Sequence, residues 1–575
     1  MRYIALATDY DGTIASKGRV PQSTIEALER LRASGRRVLL VTGRELPDLK
    51  TVFDRLDLFD RVVAENGALL YRPARHDQQA LAEHAPEQFL QLLRDRNVPF
   101  SVGCGIVATV EPHQQAVLDA IRELGIEWHV IFNKGAVMAL PSGVNKATGL
   151  RCALEELGIS EHNVAAIGDA ENDHALLALC EFGVAVENAV PSLKERADLV
   201  TKGARGEGVE QLVELLLNDD LESYDHRQRH KILVGHRVKN VVAPEDRQGD
   251  PVYVAASRGS VLFSGPSGSG KSTAASGVIE RFGEAGYQFC LIDPEGDYEG
   301  FPKALVLGTS TNAPNASEVL QALEKPSQNV VVNLIGIPLS DRPMYFAGLM
   351  PLLLEMRTRS ARPHWIIVDE THHLLPSAWV PAPVTVPRAL GGLIMITVHP
   401  DWVAKPALQE VQTIVAVGKE AQNTFDNFAR TVDVQAPRLE HSDLPGGIAA
   451  IWTRNGKDDV AIVRAEPAKF ERKRHTRKYA EGELPPDRSF YFRGAEGKLN
   501  LRAQNLNMFL QLADGVDDET WRYHLQRGEY SDWFRRCIKD PSLAQEVEEM
   551  EKEASDQASN TRERVKQAIQ QRYAA

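Results

Sequence analysis

Cysteine pairs are missing from this chain of 575 residues. The five cysteines are scattered and none forms a Cys-x-x-Cys pair: Cys104, Cys152, Cys180, Cys290 and Cys537. Disulfide frameworks and cysteine zinc sites need cysteines in pairs or clusters. The scattered thiols therefore indicate reduced, buried side chains and a cytoplasmic protein.

Long hydrophobic runs are missing as well. The longest apolar stretches, such as residues 346–354, are well short of the ~20 residues that a membrane span needs. The chain opens on a strand that leads straight into an acidic motif, which leaves no room for a leader peptide. We expect no contact with a membrane.

Excess positive charge is the third absence. The formal net charge is −13, which argues against a uniformly basic nucleic-acid binder. A hydrophobic content of 43% with 7% aromatic residues is typical of α/β proteins. Because a single core stops growing near ~250–300 residues, the length predicts several domains.

An acidic motif, Asp9-Tyr10-Asp11-Gly12-Thr13, follows the first apolar strand. Chain that leaves a parallel strand at its carboxyl end enters the crevice where α/β folds bind ligands. One aspartate there can attack phosphorus, and a second can protonate the leaving oxygen and later deprotonate water. Asp9 and Asp11 are the candidates for these two roles; the family resemblance described below implies Asp9 as the nucleophile and Asp11 as the general acid and base.

Three later segments supply the rest of a phosphate site. Thr42 and Gly43 follow the next apolar strand, and a hydroxyl beside backbone N–H groups suits a phosphoryl oxygen. Lys146 begins a predicted helix and can neutralise the phosphoryl group. Asp169 and Asp173 follow another strand and add carboxylates of the kind that Mg²⁺ prefers.

In order and spacing these four segments resemble the haloacid dehalogenase (HAD) phosphohydrolases. Residues 184–189 (Val-Ala-Val-Glu-Asn-Ala) add a likeness to the Cof-type branch, in which a variable cap lies between the second and third motifs. The resemblance implies that Asp9 forms an aspartyl-phosphate and that Thr42 and Lys146 bind phosphate. It also implies a Mg²⁺ site made by the Asp9 carboxylate, the Asp11 main-chain carbonyl and Asp169, with Asp173 in support.

The cap is predicted at about residues 75–140 as a small sheet with one helix. In the resembling family a capped site acts mostly on small phosphate esters, because the cap closes and excludes water. Five cap residues are candidates for substrate contacts, although each is more often a packing or surface residue: Cys104, His113, Trp128, His129 and Lys134. The sequence leaves the substrate open.

A second phosphate motif lies at residues 265–272 (Gly-Pro-Ser-Gly-Ser-Gly-Lys-Ser), between an apolar strand and a predicted helix. Its backbone N–H groups can cradle phosphates at the helix N-terminus. Lys271 reaches the β- and γ-phosphates of ATP, and Ser272 binds Mg²⁺. The predicted nucleotide contacts are Gly265, Gly268, Ser269, Gly270, Lys271, Ser272 and Thr273.

An acidic pair, Asp369 and Glu370, ends the strand 365–368. Asp369 suits the Mg²⁺ shell, and Glu370 can polarise an attacking water. An adjacent Asp-Glu pair favours ATP hydrolysis over transfer to a substrate hydroxyl. It therefore weighs against a kinase.

Together with residues 291–298, these motifs resemble the HerA/FtsK class of ring-forming ATPases. The class implies an ATP-binding homo-oligomer, most commonly a hexamer, whose sites are completed by a neighbour's arginine. Arg430, Arg438 and Arg454 are unranked candidates for that arginine. The sequence departs from the class at Thr397 and His399, where a polar sensor, commonly glutamine, is expected. A metal role for His372 and His373 is not expected.

These readings predict an α/β protein of three domains: a HAD-type domain at 1–220, a P-loop ATPase domain at 221–470 and a helical domain with a tail at 471–575. Residues 231–258 have room for a hairpin or two, but not for the β-barrel of HerA translocases. The aromatic residues after 490 predict the core of the helical domain. The basic run 472–478 suits either a solvated linker or a DNA contact.

Three functional hypotheses fit. The first is a bifunctional Mg²⁺-dependent phosphatase and ATPase, the second a polynucleotide kinase–phosphatase, and the third a nucleic-acid motor or defence protein with a HAD effector. Glu370 and the cap oppose the second. DNA as a partner is left open.

Overall fold

The computed structural model describes most of the chain. The described residues are 1–133, 135–227, 230–238, 249–256, 259–309, 311–377, 391–455, 457–470, 484, 486, 488–538, 540–553 and 558–573. They form two compact units, Met1–Pro294 with Pro302–Ala468, and Glu295–Phe301 with Lys469–Ala575. Lys134 and the basic run 472–478 lie outside the described residues.

Twelve strands lie in the first 200 residues. In chain order they are β1 (Ala5–Thr8), β2 (Arg37–Val41), β3 (Arg61–Ala64), β4 (Leu69–Arg72), β5 (Asp77–Ala80), β6 (Ser101–Val102), β7 (Val107–Val110), β8 (Trp128–Asn133), β9 (Ala136–Pro141), β10 (Val164–Gly168), β11 (Phe182–Ala185) and β12 (Leu199–Val200).

Eight of these strands form one sheet in the order β12-β11-β10-β1-β2-β3-β4-β5. The strands from β12 to β3 pair in parallel, whereas β4 and β5 are antiparallel. The central strands β1 and β10 are fully buried, which explains their continuous apolar sequence. Their carboxyl ends lie at one edge of the sheet, where Asp9 and Asp169 follow.

Eight helices belong to this part of the chain. They are α1 (Gln22–Ala33), α2 (Leu46–Val52), α3 (Glu87–Asp95), α4 (Gln114–Leu124), α5 (Lys146–Leu157), α6 (His174–Leu179), α7 (Pro191–Arg196) and α8 (Gly206–Asp219).

The cap is a four-stranded antiparallel sheet, β6-β7-β9-β8, packed on α3 and α4. The strands and α4 agree with the expected elements. Two features differ from the prediction of a cap from about residue 75 with one helix. Strand β5 continues the main sheet by pairing with β4, and α3 is a second cap helix that buries Phe89, Leu90 and Leu93.

The second part of the first unit is built on an eleven-stranded sheet. Its strands are β13 (Lys231–Arg237), β14 (Pro251–Ala255), β15 (Ser260–Ser264), β16 (Phe289–Asp293), β17 (Ala304–Leu307), β18 (Asn329–Asn333), β19 (Trp365–Val368), β20 (Leu393–Thr397), β21 (Thr413–Val417), β22 (Ile448–Asn455) and β23 (Lys457–Ala465). Their spatial order is β14-β13-β23-β22-β21-β15-β20-β19-β16-β18-β17.

The order places β20 between β15 and β19, and all three run parallel. The residues that follow these strands therefore share one edge of the sheet. Strands β13 and β14 form the expected hairpin, which joins the sheet through β23. The antiparallel pair β22–β23 and the edge strand β17 had not been predicted.

In the described residues of this part, six helices accompany the sheet: α9 (Lys271–Glu284), α10 (Ala316–Leu323), α11 (Arg342–Ser360), α12 (Thr371–Leu374), α13 (Lys405–Gln409) and α14 (Ala421–Val432). Helix α9 begins at Lys271, the lysine of the predicted P-loop. It ends at Glu284, and the backbone N–H of the next residue, Ala285, bonds back to the last turn.

The second unit contains the C-terminal helices. Its elements are β24 (Phe490–Phe492), β25 (Leu501–Ala503), α15 (Leu506–Gly515), α16 (Asp518–Gln526), α17 (Glu529–Trp533), α18 (Pro541–Glu553) and α19 (Ala558–Tyr573). Phe490, Phe509, Trp521 and Tyr530 are buried in one core. Within the described residues, no helix combines the length and apolarity that crossing a bilayer requires.

Gly67 gives a test of this fold. Its φ is +106°, and a Cβ there would overlap the backbone oxygen of Asn145, the residue before α5. We predict that Gly67→Ala lowers the free energy of unfolding by roughly 3 kcal/mol. Gly35→Ala is the control, since Gly35 has φ +90° but open space around it. It should cost only the ~1 kcal/mol of left-handed strain. Equal losses in urea denaturation would contradict this packing.

Candidate active sites

Asp9 lies at the centre of the first site, directly after β1. Its backbone N–H donates to the carbonyl of Ile167 at 3.0 Å, which ties it to β10. Its side chain is buried, and the Thr13 hydroxyl donates to Oδ2 at 3.1 Å. The other oxygen, Oδ1, is bound by Lys146.

Lys146 joins two carboxylates. Its Nζ is 2.5 Å from Asp9 Oδ1 and 2.6 Å from Asp173 Oδ1, and its side chain is 1% exposed. Asn145 caps the helix that begins with this lysine by accepting from the backbone N–H groups of Ala147 and Thr148. The cap fixes where α5 starts and hence where the ammonium group lies.

The acidic residues after β10 complete the cluster. Asp173 Oδ2 accepts from the backbone N–H groups of Asp169 and Ala170 at 2.9 and 3.0 Å. Carboxylate oxygens of Asp9, Asp169 and Asp173 lie within 4.8 Å of one another. Three buried carboxylates at this spacing fit a Mg²⁺ ion, which takes oxygen ligands.

Burial and neighbouring charges shift the pKa values of the cluster in opposite directions. Burial raises the pKa of Asp9 to about 7, although the charge of Lys146 lowers it. Burial lowers the pKa of Lys146, but the charges of Asp173 and Asp9 outweigh it and raise the pKa above the usual value. The lysine is therefore a fixed cation beside Asp9.

Asp11 is held by a residue to which the sequence had assigned no role. The Arg44 guanidinium donates to both oxygens of Asp11, at 2.6 and 2.7 Å, and to Asp48 at 2.6 Å. Such a two-bond pair fixes the orientation of a carboxylate. The position of Arg44 after Thr42 and Gly43 was the available signal.

Thr42 and Gly43, the predicted phosphate-binding residues, directly follow β2, which pairs with β1. Thr42 is buried after β2, and its hydroxyl accepts from the backbone N–H of Arg44 at 3.2 Å. Asn66 stands against Gly43 and accepts from Asn172 at 2.9 Å. The structure thus clusters Asp9, Lys146, Asp169 and Asp173, and places Asp11, Thr42 and Gly43 after neighbouring parallel strands at the same edge of the sheet.

The predicted P-loop of the second site connects β15 to α9. Lys271 is the first residue of α9 and is buried, while Ser272 is half-buried and Thr273 exposed. Gly268 and Gly270 have φ of +77° and +94°. This conformation turns the loop back over the start of the helix, where backbone N–H groups bind anions.

Asp369 and Glu370 are buried at the end of β19. Glu370 has φ +41°, a left-handed conformation that costs a residue with a side chain ~1 kcal/mol and is found mostly at functional sites. His372 Nδ1 is 3.7 Å from Glu370 Oε2 and 3.1 Å from the Thr397 hydroxyl. Burial and His373 lower the pKa of His372 to about 4, so its ring is neutral.

The polar residues after β20 differ in their contacts, and the candidate arginines differ in their exposure. Thr397 contacts His372, whereas His399 packs on the ring of Trp402 at 4.4 Å. Arg454 donates to the Val411 carbonyl at 2.7 Å and lies over Phe428. Arg430 and Arg438 are exposed.

Comparison with known proteins bears on the first site. The family model described as haloacid dehalogenase-like hydrolase matches residues 6–117 and 106–213. A phosphoglycolate phosphatase of Methanothermobacter thermautotrophicus is 35% identical over 220 residues, covering 36% of this chain and 96% of that protein. The N-terminal part of the chain belongs to the haloacid dehalogenase-like hydrolases. We call it the phosphatase domain.

Two further comparisons cover a similar share of the chain. Phosphoglycolate phosphatase 2 of Saccharolobus solfataricus is 30% identical over 228 residues, which is 37% of this chain and 93% of that protein. A crystal structure of a haloacid dehalogenase-like hydrolase from Bacteroides thetaiotaomicron has 20% identity and a TM-score of 0.33, and covers 37% of this chain and 99% of that chain.

The cap brings polar atoms towards the phosphatase site. Strand β8 lies against the turn Glu171–Asp173. Among the described residues, buried His129 Nδ1, Asn133 Oδ1 and Asn172 Oδ1 have no hydrogen-bond partner. Because buried polar atoms are nearly always paired, these three are suited to a bound substrate.

The other cap candidates have structural surroundings. Trp128 packs on Phe89 with ring centroids 5.3 Å apart, in the cap core. His113 precedes α4 at its N-terminus, and Cys104 is half-buried near Glu65. Of the described candidates, His129 is the one with an orphaned polar atom.

Asn188 anchors the nucleophile loop. Its Nδ2 donates to the Gly12 carbonyl at 2.9 Å, and its Oδ1 accepts from the backbone N–H of Arg205 at 2.7 Å. The sequence shows the likeness of residues 184–189 to the family, but it assigns no role to the Asn188 side chain.

We predict that Asn188→Ala lowers kcat of the phosphatase by about 10²-fold, because the loop that carries Asp9 and Asp11 loses its tether. Stability should fall by only ~1 kcal/mol, the value of a hydrogen bond. Steady-state kinetics and thermal unfolding measure both. Ser23→Ala is the control, since it removes a bond to Glu210 away from the site. A variant with wild-type kcat would contradict the anchoring role.

Proposed function

We propose that the phosphatase domain hydrolyses small phosphate monoesters with Mg²⁺ through an aspartyl-phosphate on Asp9. The observation that carries this proposal is the buried cluster of Asp9, Asp169 and Asp173 around Lys146. The cluster combines a nucleophile, a cation and the oxygen ligands that a metal needs.

Asp9, Asp169 and Asp173 would hold the Mg²⁺ ion, which supplies positive charge to the phosphoryl oxygens and favours the ionised form of Asp9. Lys146 and the hydroxyl of Thr42 bind the same phosphoryl group. One oxygen of Asp9 attacks phosphorus, and the ester P–O bond breaks.

Asp11 carries out the proton transfers of both steps. In the first step it donates a proton to the leaving oxygen, so that the alcohol departs neutral. In the second step it takes a proton from water. The resulting hydroxide attacks phosphorus, releasing phosphate and restoring the Asp9 carboxylate. Arg44 holds the Asp11 carboxylate between the two steps.

2-Phosphoglycolate is our first candidate substrate. The curated relatives described above are phosphoglycolate phosphatases, and they align over nearly their whole length. The orphaned polar atoms of His129, Asn133 and Asn172 offer contacts for the non-phosphoryl end of a small polar ester.

Asp9→Asn provides the decisive test of the phosphatase. The variant keeps the shape of the side chain but lacks the anionic nucleophile, so kcat should fall by several orders of magnitude while the fold persists. Phosphate release from 2-phosphoglycolate and other small esters measures this effect. Asp95→Asn, on the exposed face of α3, should be unaffected, and EDTA should abolish wild-type activity. Normal turnover by Asp9→Asn would refute the covalent mechanism.

We infer a second activity, ATP hydrolysis of the HerA/FtsK type. It is supported by the convergence of β15, β20 and β19, whose ends carry the P-loop, Thr397 and the Asp369-Glu370 pair. A cavity of about 300 Å³ lies beside Gly268 and Gly270 and extends to Val417 and Ile448. It has room for the part of a nucleotide beyond its phosphates.

The roles that we propose for the residues of the second site follow from their positions at the ends of the strands. Lys271 binds the β- and γ-phosphates, while Ser272 and Asp369 would hold Mg²⁺. Glu370 orients and deprotonates the attacking water. The left-handed backbone of Glu370 sets the direction in which its side chain leaves the chain, and the neutral ring of His372 lies 3.7 Å from Oε2. We further propose a homo-oligomeric ring, most simply a hexamer, in which Arg430 or Arg438 of a neighbour completes the site.

We predict that Lys271→Ala loses ATP affinity, whereas Glu370→Gln binds ATP but hydrolyses it slowly. Equilibrium binding and phosphate release separate the two effects, and Lys405→Ala, at an exposed pair with Asp433, is the control. Normal hydrolysis by Glu370→Gln would refute the water-activating role. Light scattering on the same samples tests the ring, which a monomer with the full ATPase rate would exclude.

A further inference from the structure

A buried cluster of ionisable side chains lies where the phosphatase domain meets the P-loop part of the same unit. Glu181, which precedes β11, is 1% exposed. His162, in the turn before β10, is also buried, and His230 comes from the segment that joins the two parts. Ligand atoms of these three side chains lie within 4.8 Å of one another.

The hydrogen bonds of His162 limit its protonation. Its Nε2 is 2.8 Å from the backbone carbonyl of Ala285, at the end of the P-loop helix α9. Since a carbonyl only accepts, Nε2 carries the proton. Nδ1 faces Glu181 Oε2 at 2.8 Å. It must therefore either carry a second proton or give its lone pair to a cation.

The two oxygens of Glu181 have different surroundings. Arg2 binds Oε1 at 2.6 Å. Oε2 faces His162, accepts from the Tyr287 hydroxyl at 2.7 Å and lies 3.8 Å from His230 Nε2. Burial would raise the pKa of Glu181, but His162 and Arg2 outweigh it and lower the pKa to about 2. Oε2 is thus an anionic ligand atom directed at two imidazoles.

We propose that His162 Nδ1, His230 Nε2 and Glu181 Oε2 bind a divalent transition-metal ion, with zinc the best fit. Two imidazoles and one carboxylate are ligands that Zn²⁺ takes, and a fourth position is left for water. The bond from His162 Nε2–H to a backbone carbonyl is the outer contact that metal-bound histidines usually make. His162 and Tyr287 line a cleft of about 610 Å³.

Other charged and titratable side chains surround the proposed metal site. Arg2 is a fixed cation beside Glu181. Arg362 donates at 2.9 Å to the backbone carbonyl of Gly158, which is close to His162 in the sequence. His364 stays neutral, because burial and His162 lower its pKa well below the usual value, and its Nδ1 accepts from the backbone of Gln288. A metal ion at this site would take the place of any proton on His162 Nδ1, because only an unprotonated ring nitrogen binds a metal.

The site would join three parts of the chain. His162 and Glu181 belong to the phosphatase domain, His230 to the connecting segment, and the carbonyl that holds His162 to the end of the P-loop helix. A bound ion therefore acts as a cross-link between the two catalytic halves, and it does so whether or not the activities proposed above are correct.

Zinc content of the full-length protein tests the proposal. Wild type, His230→Ala and Glu181→Gln are stripped with chelator, loaded with zinc in excess Mg²⁺, gel-filtered and analysed by elemental mass spectrometry. His84→Ala, at an exposed position of the phosphatase domain, is the control. Loading with Co²⁺ instead adds a visible absorption band that reports nitrogen and oxygen ligands.

Wild type and His84→Ala should each retain one zinc per chain more than His230→Ala and Glu181→Gln, and the cobalt band should be lost in the latter two. Chelation should lower the unfolding temperature of wild type but not of His230→Ala. Equal zinc content in wild type and His230→Ala overturns the proposal, even if Glu181→Gln fails to fold. Unfolding that depends on pH but not on zinc also overturns it, since a doubly protonated His162 would then be sufficient.

Discussion

The salt bridges of Lys146 are the interaction on which the phosphatase domain depends. Asp9 and Asp173 are buried at the carboxyl ends of neighbouring strands, and two carboxylates there repel each other unless a cation lies between them. Loss of one member of such a buried cluster typically costs ~3–5 kcal/mol. The same charge permits the carboxylates to be buried and, in the mechanism that we propose, binds the phosphoryl group, so that stability and catalysis would use one side chain.

Around this cluster the domain positions each reactive group with a separate local bond. Asn145 fixes the start of the helix that carries Lys146, and Arg44 orients Asp11. Asn188 holds the loop after β1 by donating to the carbonyl of Gly12. In the part of the chain that carries the predicted P-loop, polar residues also follow the ends of parallel strands. There, Glu370 has a left-handed backbone directly after β19. Rigid strands thus deliver the residues, and short polar contacts set their final orientation.

The sequence located Asp9, Thr42 and Asp169, because each directly follows a buried parallel strand whose apolar pattern is unambiguous. Their catalytic roles stay predictions. The sequence could not assign Arg44, Asn188 or Asn133, because their roles depend on which oxygen or cavity lies opposite in space. Strand β5 was mistaken for part of the cap, since an exposed polar strand at a sheet edge has no apolar signal. Family comparison supports the phosphatase domain, while ATP binding, the ring and the boundaries of the domains stay predictions.

The covalent intermediate is the most direct test of the central claim. Wild-type protein mixed with ³²P-labelled 2-phosphoglycolate and Mg²⁺, then quenched in acid within a single turnover, should carry label on the peptide that contains Asp9. The label should be released by hydroxylamine, as acyl phosphates are. If substrate is consumed at the normal rate and no protein-bound label appears at any time, water attacks the ester directly and the account is wrong.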